Sequence, residues 1–435
     1  MKGDFTRDTF DKDKQFSRVL MQQGRVQLDA DWNEQASILL HYLRTLAAHL
    51  IGPHGGPDGD PGFLIDPDGN GGLTIGQGCY YVDGILCENR EVATYADPME
   101  AEDYLVYLDV WERLVTCIQD DEIREKALDG PDTAARARVT WRVRVQDLTG
   151  EAVDALKEEL GIQAFSCDIV QEYWKRMVSL WWQPEDRGKL KASTPSPAGD
   201  DSDDPCAIPP GSGYRGLENQ LYRVEIHDGG AADEATFKWS RENGSITYPI
   251  LSIADSDLFV QGLGAGDRFS LREGDWVEVV DDDSDLEVSP EPLLKVLGID
   301  HDEGKVTLNA APEGVGGDQD KHPFLRRWDQ RSDALNVEGE DGKTVWDLEY
   351  GIQIEFCAPG DSTFRSGDYW LIPARTIPGD VEWPETLDGE ALEVGPHGVE
   401  HHYAPLALKI EGNDLESCRR SFEPLPILTD YHLQP

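Results

Sequence analysis

Three clusters carry residue types at spacings that chemistry can use. In DPDGNG, Asp66, Asp68 and Asn70 fall where a calcium loop places its first three oxygen ligands, and Gly71 falls where such a loop turns sharply. The last ligand position holds Gln77 instead of the bidentate glutamate, which removes a charge and an oxygen. Calcium is the one cofactor suggested, against the plainer reading of an acidic turn. In PHGVEHHY, His397, His401 and His402 include an H-x-x-x-H spacing that on a helix would put two imidazoles on one face. Pro396 and Gly398 argue against that helix, and Glu400 is not placed as in H-E-x-x-H, so a structural loop packing its histidines is expected. The run Asp281-Asp282-Asp283-Ser284-Asp285 is expected to be a solvated loop rather than a cation site.

Other chemistry is hard to find. The 435 residues contain no nucleophile elbow, phosphate-binding loop or dinucleotide fingerprint. With 85 Asp and Glu, some carboxylate pair must fall at glycosidase spacing by chance, and none stands out. No catalytic residue is assigned, and the expectation is a protein that is not an enzyme. The tryptophans at 181, 182, 239, 328 and 370 sit in strand-like or loop contexts. Core packing is the plain reading for most of them, and an exposed subset would suit stacking on sugar rings.

Charge narrows the partners. Against 85 acidic residues stand 39 Lys and Arg, a net charge of -46. That field repels phosphate backbones and anionic headgroups, so neither nucleic acid nor a membrane surface is expected as a partner. A halophilic source would account for the charge without any function. No stretch is long and apolar enough to span a bilayer, and MKGDFTRDTF lacks the apolar core of a secretory signal. The 7 cysteines, at 79, 87, 117, 167, 206, 357 and 418, are scattered, which suggests reduced thiols in a cytoplasmic protein.

The elements that must position these residues are mostly strands. One helix stands out, near 29 to 51: Asp31 with Glu34 forms a capping-box variant, and Gly52-Pro53 ends it. Its apolar residues Trp32, Ala36, Leu39, Leu43, Leu46 and Leu50 are spaced 4-3-4-3-4, an a/d heptad seam. Such a seam lies either on its own domain's core or against further copies of itself. Shorter helices are expected at 121–128 and 151–160. WRVRVQ, YRVEIH and GIQIEF alternate apolar and polar residues, the pattern of half-buried antiparallel strands. Asn243-Gly244 in FKWSRENGSITYPI signals a hairpin, and 272–310 suggests a small barrel or sandwich.

Several segments together carry a resemblance. MKGDFTRDTF, RVLMQQGRVQLDADWNEQ, YLVYLDVWERLVT, ALDGPDTAARARVTWRV, ENQLYRVEIHDGG, ATFKWSRENGSITYPI, RRWDQ, GDYWLIPAR and PHGVEHHYAPLA span nearly the whole chain. The combination resembles an uncharacterised bacterial and archaeal family encoded with phage-tail-like contractile injection systems. GRVQLDADWNE is also similar to the opening of phage tail-fibre and baseplate-attached proteins, whose following helix commonly mounts a trimeric appendage. The resemblance implies a structural, homotrimeric component at the baseplate periphery, fibre mount or baseplate cage, in contact with other injection-system proteins. It implies assembly in the cytoplasm into a particle that can be released. A carbohydrate-binding or glycan-degrading tip module, meeting a target-cell surface glycan, is the alternative.

The expected fold is mainly β (α+β), a heptad-bearing N-terminal helix followed by several antiparallel sandwich- or barrel-like domains. The expected division is 1–52 as extended segment and docking helix, 53–182 as a first β-rich domain with short helices, and 183–215 as a Pro/Asp-rich loop or linker. A second β-rich domain at 216–330 and a C-terminal β-rich segment at 331–435 complete it.

Overall fold

The computed structural model describes residues 1–59, 61–69, 72–95, 102–128, 132–183, 187–195, 213–263, 270–286, 291–330, 335–338, 345–358, 362–410 and 413–423. The protein is mainly β, built from several largely antiparallel sheets. Apart from one 3-10 turn at Lys12–Lys14, residues 1–28 have no regular structure. Helix α1 (Asp29–Ile51) follows, ending at Gly52, whose N–H reaches the Ala48 carbonyl.

The chain is nested rather than sequential. An outer unit pairs Tyr104–Val115 with Arg136–Asp147 on one side and with His402–Lys409 on the other. Beside it, His54–Pro57 lies between Gly78–Val82 and the late strand Ser421–Phe422. Inside this frame sits a sandwich. One of its sheets pairs Gln220–Ile226 with Phe237–Ser240 and Tyr369–Arg375, and the other pairs Gln353–Cys357 with Lys189–Ser193 and Val345–Asp347. Their facing side chains, Tyr222, Phe237, Ile354, Phe356 and Trp370 among them, form one core. Inside the sandwich, in turn, a closed barrel runs from Thr247 to Trp328. Strand pairing therefore cuts across the divisions at 183–215 and 331, because early strands take late partners.

The barrel has six antiparallel strands. Around it the order is Thr247–Ala254, Asp257–Val260, Lys305–Leu308, Leu294–Asp300, Trp276–Val280 and Phe324–Trp328. The three middle strands in sequence form a meander, and the last returns beside the first of them, a Greek-key connection. Val277, Val279, Leu258, Val306, Leu325 and their neighbours fill the interior. The barrel thus reaches beyond the 272–310 stretch on both sides, taking strands from Thr247 to Trp328.

Several local expectations are corrected. Asn243 and Gly244 adopt φ of 51° and 63°, the paired positive values of a tight turn. The flanking strands do not pair with each other: Phe237–Ser240 joins the sandwich and Thr247–Ala254 the barrel. The turn is therefore a domain junction, not a hairpin. Residues 121–128 form two 3-10 turns, Asp121–Ile123 and Lys126–Leu128, rather than a helix. Glu151–Leu160 is helical as α2. A third helix, α3 (Cys167–Trp181), was not anticipated, although Ser166 caps it and Val170, Trp174 and Met177 repeat at helical spacing. It lies across the outer sheet, in a core with Leu105, Tyr107 and Leu408. Trp181 ends that helix and packs with Trp182 there, while Trp239, Trp328 and Trp370 are buried.

The cysteines are not all reduced. Cys167 and Cys418 form a disulfide with their Cα atoms 4.9 Å apart. Scattered spacing concealed it, because 251 residues separate two positions that share one core. Cys79, Cys87, Cys117 and Cys357 are free thiols, and Cys206 lies outside the described residues.

Candidate functional site

The predicted helix is held at its edges and open along its seam. Leu28 is the residue before its first turn, and Asp31 accepts the Leu28 N–H at 3.3 Å. Glu34 does not complete that cap, since it takes the Thr9 hydroxyl at 2.6 Å. Asp29 accepts both the N–H and the hydroxyl of Thr6, so the N-terminal segment is laced along the helix. Toward the other end, Arg44 pairs with Glu112 of the outer sheet at 2.8 Å. The turn at Gly84, with φ +79°, comes so close that a Cβ there would strike the Arg44 carbonyl at 2.1 Å.

Only Ala30 and Ile38 of α1 are buried. The seam points away from the body: Trp32 is 76% exposed, Leu39 53%, Leu43 63%, Leu46 57% and Leu50 62%. Ala36 is exposed too. Leu20, Met21, Val26 and Leu28 on the preceding segment are exposed as well. Apolar surface of this kind is a common feature of interaction sites.

The calcium candidates lie in a small hairpin of Ile65–Pro67 with Leu73–Ile75. Asp68 uses one oxygen to accept the Gly72 N–H at 2.8 Å, so its carboxylate closes the turn. Asp66 is exposed, and Asn70 lies outside the described residues. Among the described residues, no three His, Cys, Asp or Glu side chains gather as a metal-holding group. The 281–285 run is not a solvated loop. Asp281 is buried and accepts the N–H groups of Asp283, Ser284 and Gly316, starting the short helix α4 (Asp282–Leu286). Asp282 meets Arg113 and His322, and Asp283 meets Lys321.

The three histidines part company. His397 packs against Tyr369, with ring centres 5.8 Å apart. His401 and His402 border a cleft of about 240 Å³ between α3 and the start of the His402–Lys409 strand. Each is oriented by a carboxylate: His402 Nδ1 is 2.9 Å from Asp83, and His401 Nδ1 is 2.6 Å from Asp109, which also accepts Arg144. Ser179 lines the same cleft, but its hydroxyl donates to the Arg176 carbonyl of its own helix at 2.9 Å. A serine nucleophile needs that hydroxyl turned to a base.

A cluster that sequence reasoning missed lies where sandwich meets barrel. Lys238 and Glu278 pair at 2.7 Å, and Glu278 also accepts the Trp328 indole N–H at 3.1 Å. Glu225 receives Arg223 at 2.6 Å, Lys2 at 3.0 Å and Lys238 at 3.5 Å. Burial alone would raise the Glu225 carboxyl, but Lys2, Arg223 and Lys238 hold it well below the usual carboxylate range. Glu278, likewise buried, is held at about 2 by Lys238 and Lys2. Asn243 from the junction turn donates to the carbonyls of Met1 and Gly3, so the N-terminal residues are part of the same knot. The signal available was the R-x-E in YRVEIH, whose polar face is buried along with its apolar one.

Fold and surface together define a multi-sheet β protein with a nested Greek-key barrel and an exposed apolar helix. Among its described residues no helix is long and apolar enough to cross a membrane. The chain belongs to the Family of unknown function (DUF6519), whose model matches residues 1–172 and 184–434. The break in that match, 173–183, begins within α3 and runs just past its end, and the match resumes at 184. No curated protein and no solved structure matches the chain.

Proposed function

We propose that the protein is a structural, non-enzymatic component of a phage-tail-like contractile injection system, located at the baseplate periphery, fibre mount or baseplate cage. In this reading α1 joins three copies of the chain. The observation that carries it is the outward-facing seam of Trp32, Leu39, Leu43, Leu46 and Leu50 at heptad spacing. Support also comes from the likeness of GRVQLDADWNE to the opening of baseplate-attached proteins. Each large seam side chain fully withdrawn from water adds roughly 1.5–3 kcal/mol to association.

Light scattering tests the reading. The wild-type protein should have three times the 48.5 kDa of one chain, and the Leu39→Asp, Leu43→Asp double variant should fall to one. The far-ultraviolet circular dichroism of the variant should be unchanged, because both side chains lie outside the folded core. A monomeric wild type, or a variant that keeps the trimer, would reject α1 as the joining element. Particles assembled from the variant should lack this subunit.

A further inference from the structure

The strand Arg136–Asp147 is an outer strand of its sheet. Among the described residues its backbone pairs only with Tyr104–Val115, over twelve consecutive residues, and the Trp141 indole N–H donates to the Glu88 carbonyl of the strand Ile85–Asn89 at 3.0 Å. A long open edge of this kind is a template for another chain. Its two faces differ sharply. Val139, Trp141, Val143 and Val145 turn into the outer-unit core. By strand alternation Arg136, Arg138, Arg142 and Arg144 share the opposite face.

Four arginines within nine residues are unexpected in a chain with 39 basic residues and a net charge of -46. The register even sets Arg138 directly across from Arg113 on the neighbouring strand, a like-charge pair that a sheet disfavours. Arg113 turns to Asp282, and Arg144 is held by Asp109. At the outer end, Arg138 stands 3.6 Å from Asp120 with half its side chain in solvent, and Arg136 donates to the Ala134 and Ala135 carbonyls. The row cannot favour a second copy of itself, because antiparallel pairing of two such edges would set arginine against arginine.

We infer that this edge is a docking site for an extended acidic polypeptide segment of another protein, added as a further strand. The occupant would alternate carboxylates, facing the arginine row, with apolar residues continuing the Trp141 and Val143 face. Backbone hydrogen bonds would supply affinity and the arginines would supply choice. This inference does not depend on α1.

The test uses the full-length protein and two labelled peptides, one repeating Glu-Val and one repeating Lys-Val, in fluorescence anisotropy. The Glu-Val peptide should bind and weaken as salt rises, and the Lys-Val peptide should not bind. The Arg136→Glu, Arg138→Glu variant should lose Glu-Val binding by roughly tenfold or more and gain Lys-Val binding, since both side chains are at the surface. A Glu-Val peptide with proline at a central valine should bind more weakly, because proline removes a ladder donor. No Glu-Val binding would mean the arginines merely guard the edge, and would overturn the inference. Equal binding by the double variant would overturn it, as would indifference to the proline. So would binding of a single-stranded oligonucleotide in preference to the peptide.

Discussion

In α1 the large apolar side chains face solvent, whereas at the junction of sandwich and barrel the lysines, arginines and glutamates are inside. The two regions invert the usual distribution in opposite directions, and for different reasons. Lys238, Glu278, Glu225 and Arg223 are buried only because each meets an opposite charge, and Trp328 and Asn243 complete the hydrogen bonds. Such a cluster tolerates very few arrangements, so it fixes how barrel, sandwich and the N-terminal residues meet. The leucines of α1 fix nothing within one chain. They cost the monomer its hydrophobic gain and return it only when a second surface covers them.

The comparison can be broken at its charged end first. Lys238→Ala leaves Glu278 and part of Glu225 buried without their cation, which should cost about 3–5 kcal/mol of unfolding free energy in urea titrations. A loss below about 1 kcal/mol would show the junction to be solvated, and the contrast with α1 would disappear.

A buried base without a carboxylate partner sharpens it next. His54 is fully buried with its Nδ1 3.1 Å from the Tyr80 hydroxyl, and burial, helped by Arg420, pulls its pKa down to about 4. The folded state therefore resists a proton that the unfolded state takes up near 6.5. The stability His54 contributes is complete above that value and is lost as pH falls toward 4, by about 3 kcal/mol at most. His54→Asn should flatten this part of the stability profile. An unchanged slope between pH 6.5 and 4 in the variant would assign it to other groups.

The smallest effect belongs to α1. In dilute solution Leu43→Ser should change the stability of the chain by no more than about 0.5 kcal/mol, and if α1 joins copies as proposed it should weaken association at higher concentration. A large loss in the dilute chain would mean that Leu43 is packed on its own body.

How much of this was legible depended on how local the determinants are. Leucine spacing and Gly52-Pro53 placed a helix over 29–51, and the mainly β character followed from alternation in WRVRVQ and GIQIEF. The same alternation in Gln220–Ile226 misled, because Arg223 and Glu225 are covered by the N-terminal residues and the barrel, which lie far away in sequence. Asn243-Gly244 announced the correct turn but not its partners, since pairing is decided by where each strand finds its sheet. Cys167 and Cys418 were invisible as a pair for the same reason. Helix α3 is different. Its signal was present in Ser166 and the Val170, Trp174, Met177 spacing, and was masked by the tryptophans that end it. Of the site residues, the seam could be listed from spacing, but its outward direction is a property of the whole molecule. The buried charges left only an R-x-E and a lone lysine in sequence.

The nesting also sets a timetable. Tyr104–Val115 needs His402–Lys409 beside it, and a ribosome reaches that strand about 290 residues later, roughly 15–60 s at ordinary elongation rates. Barrel and sandwich can close on themselves in that interval, but the outer sheet must wait with one side unsatisfied. Emerging chains crowded on a polysome would hold many such half-built edges close together, so the newborn protein needs shelter at the stage when its interior is already finished.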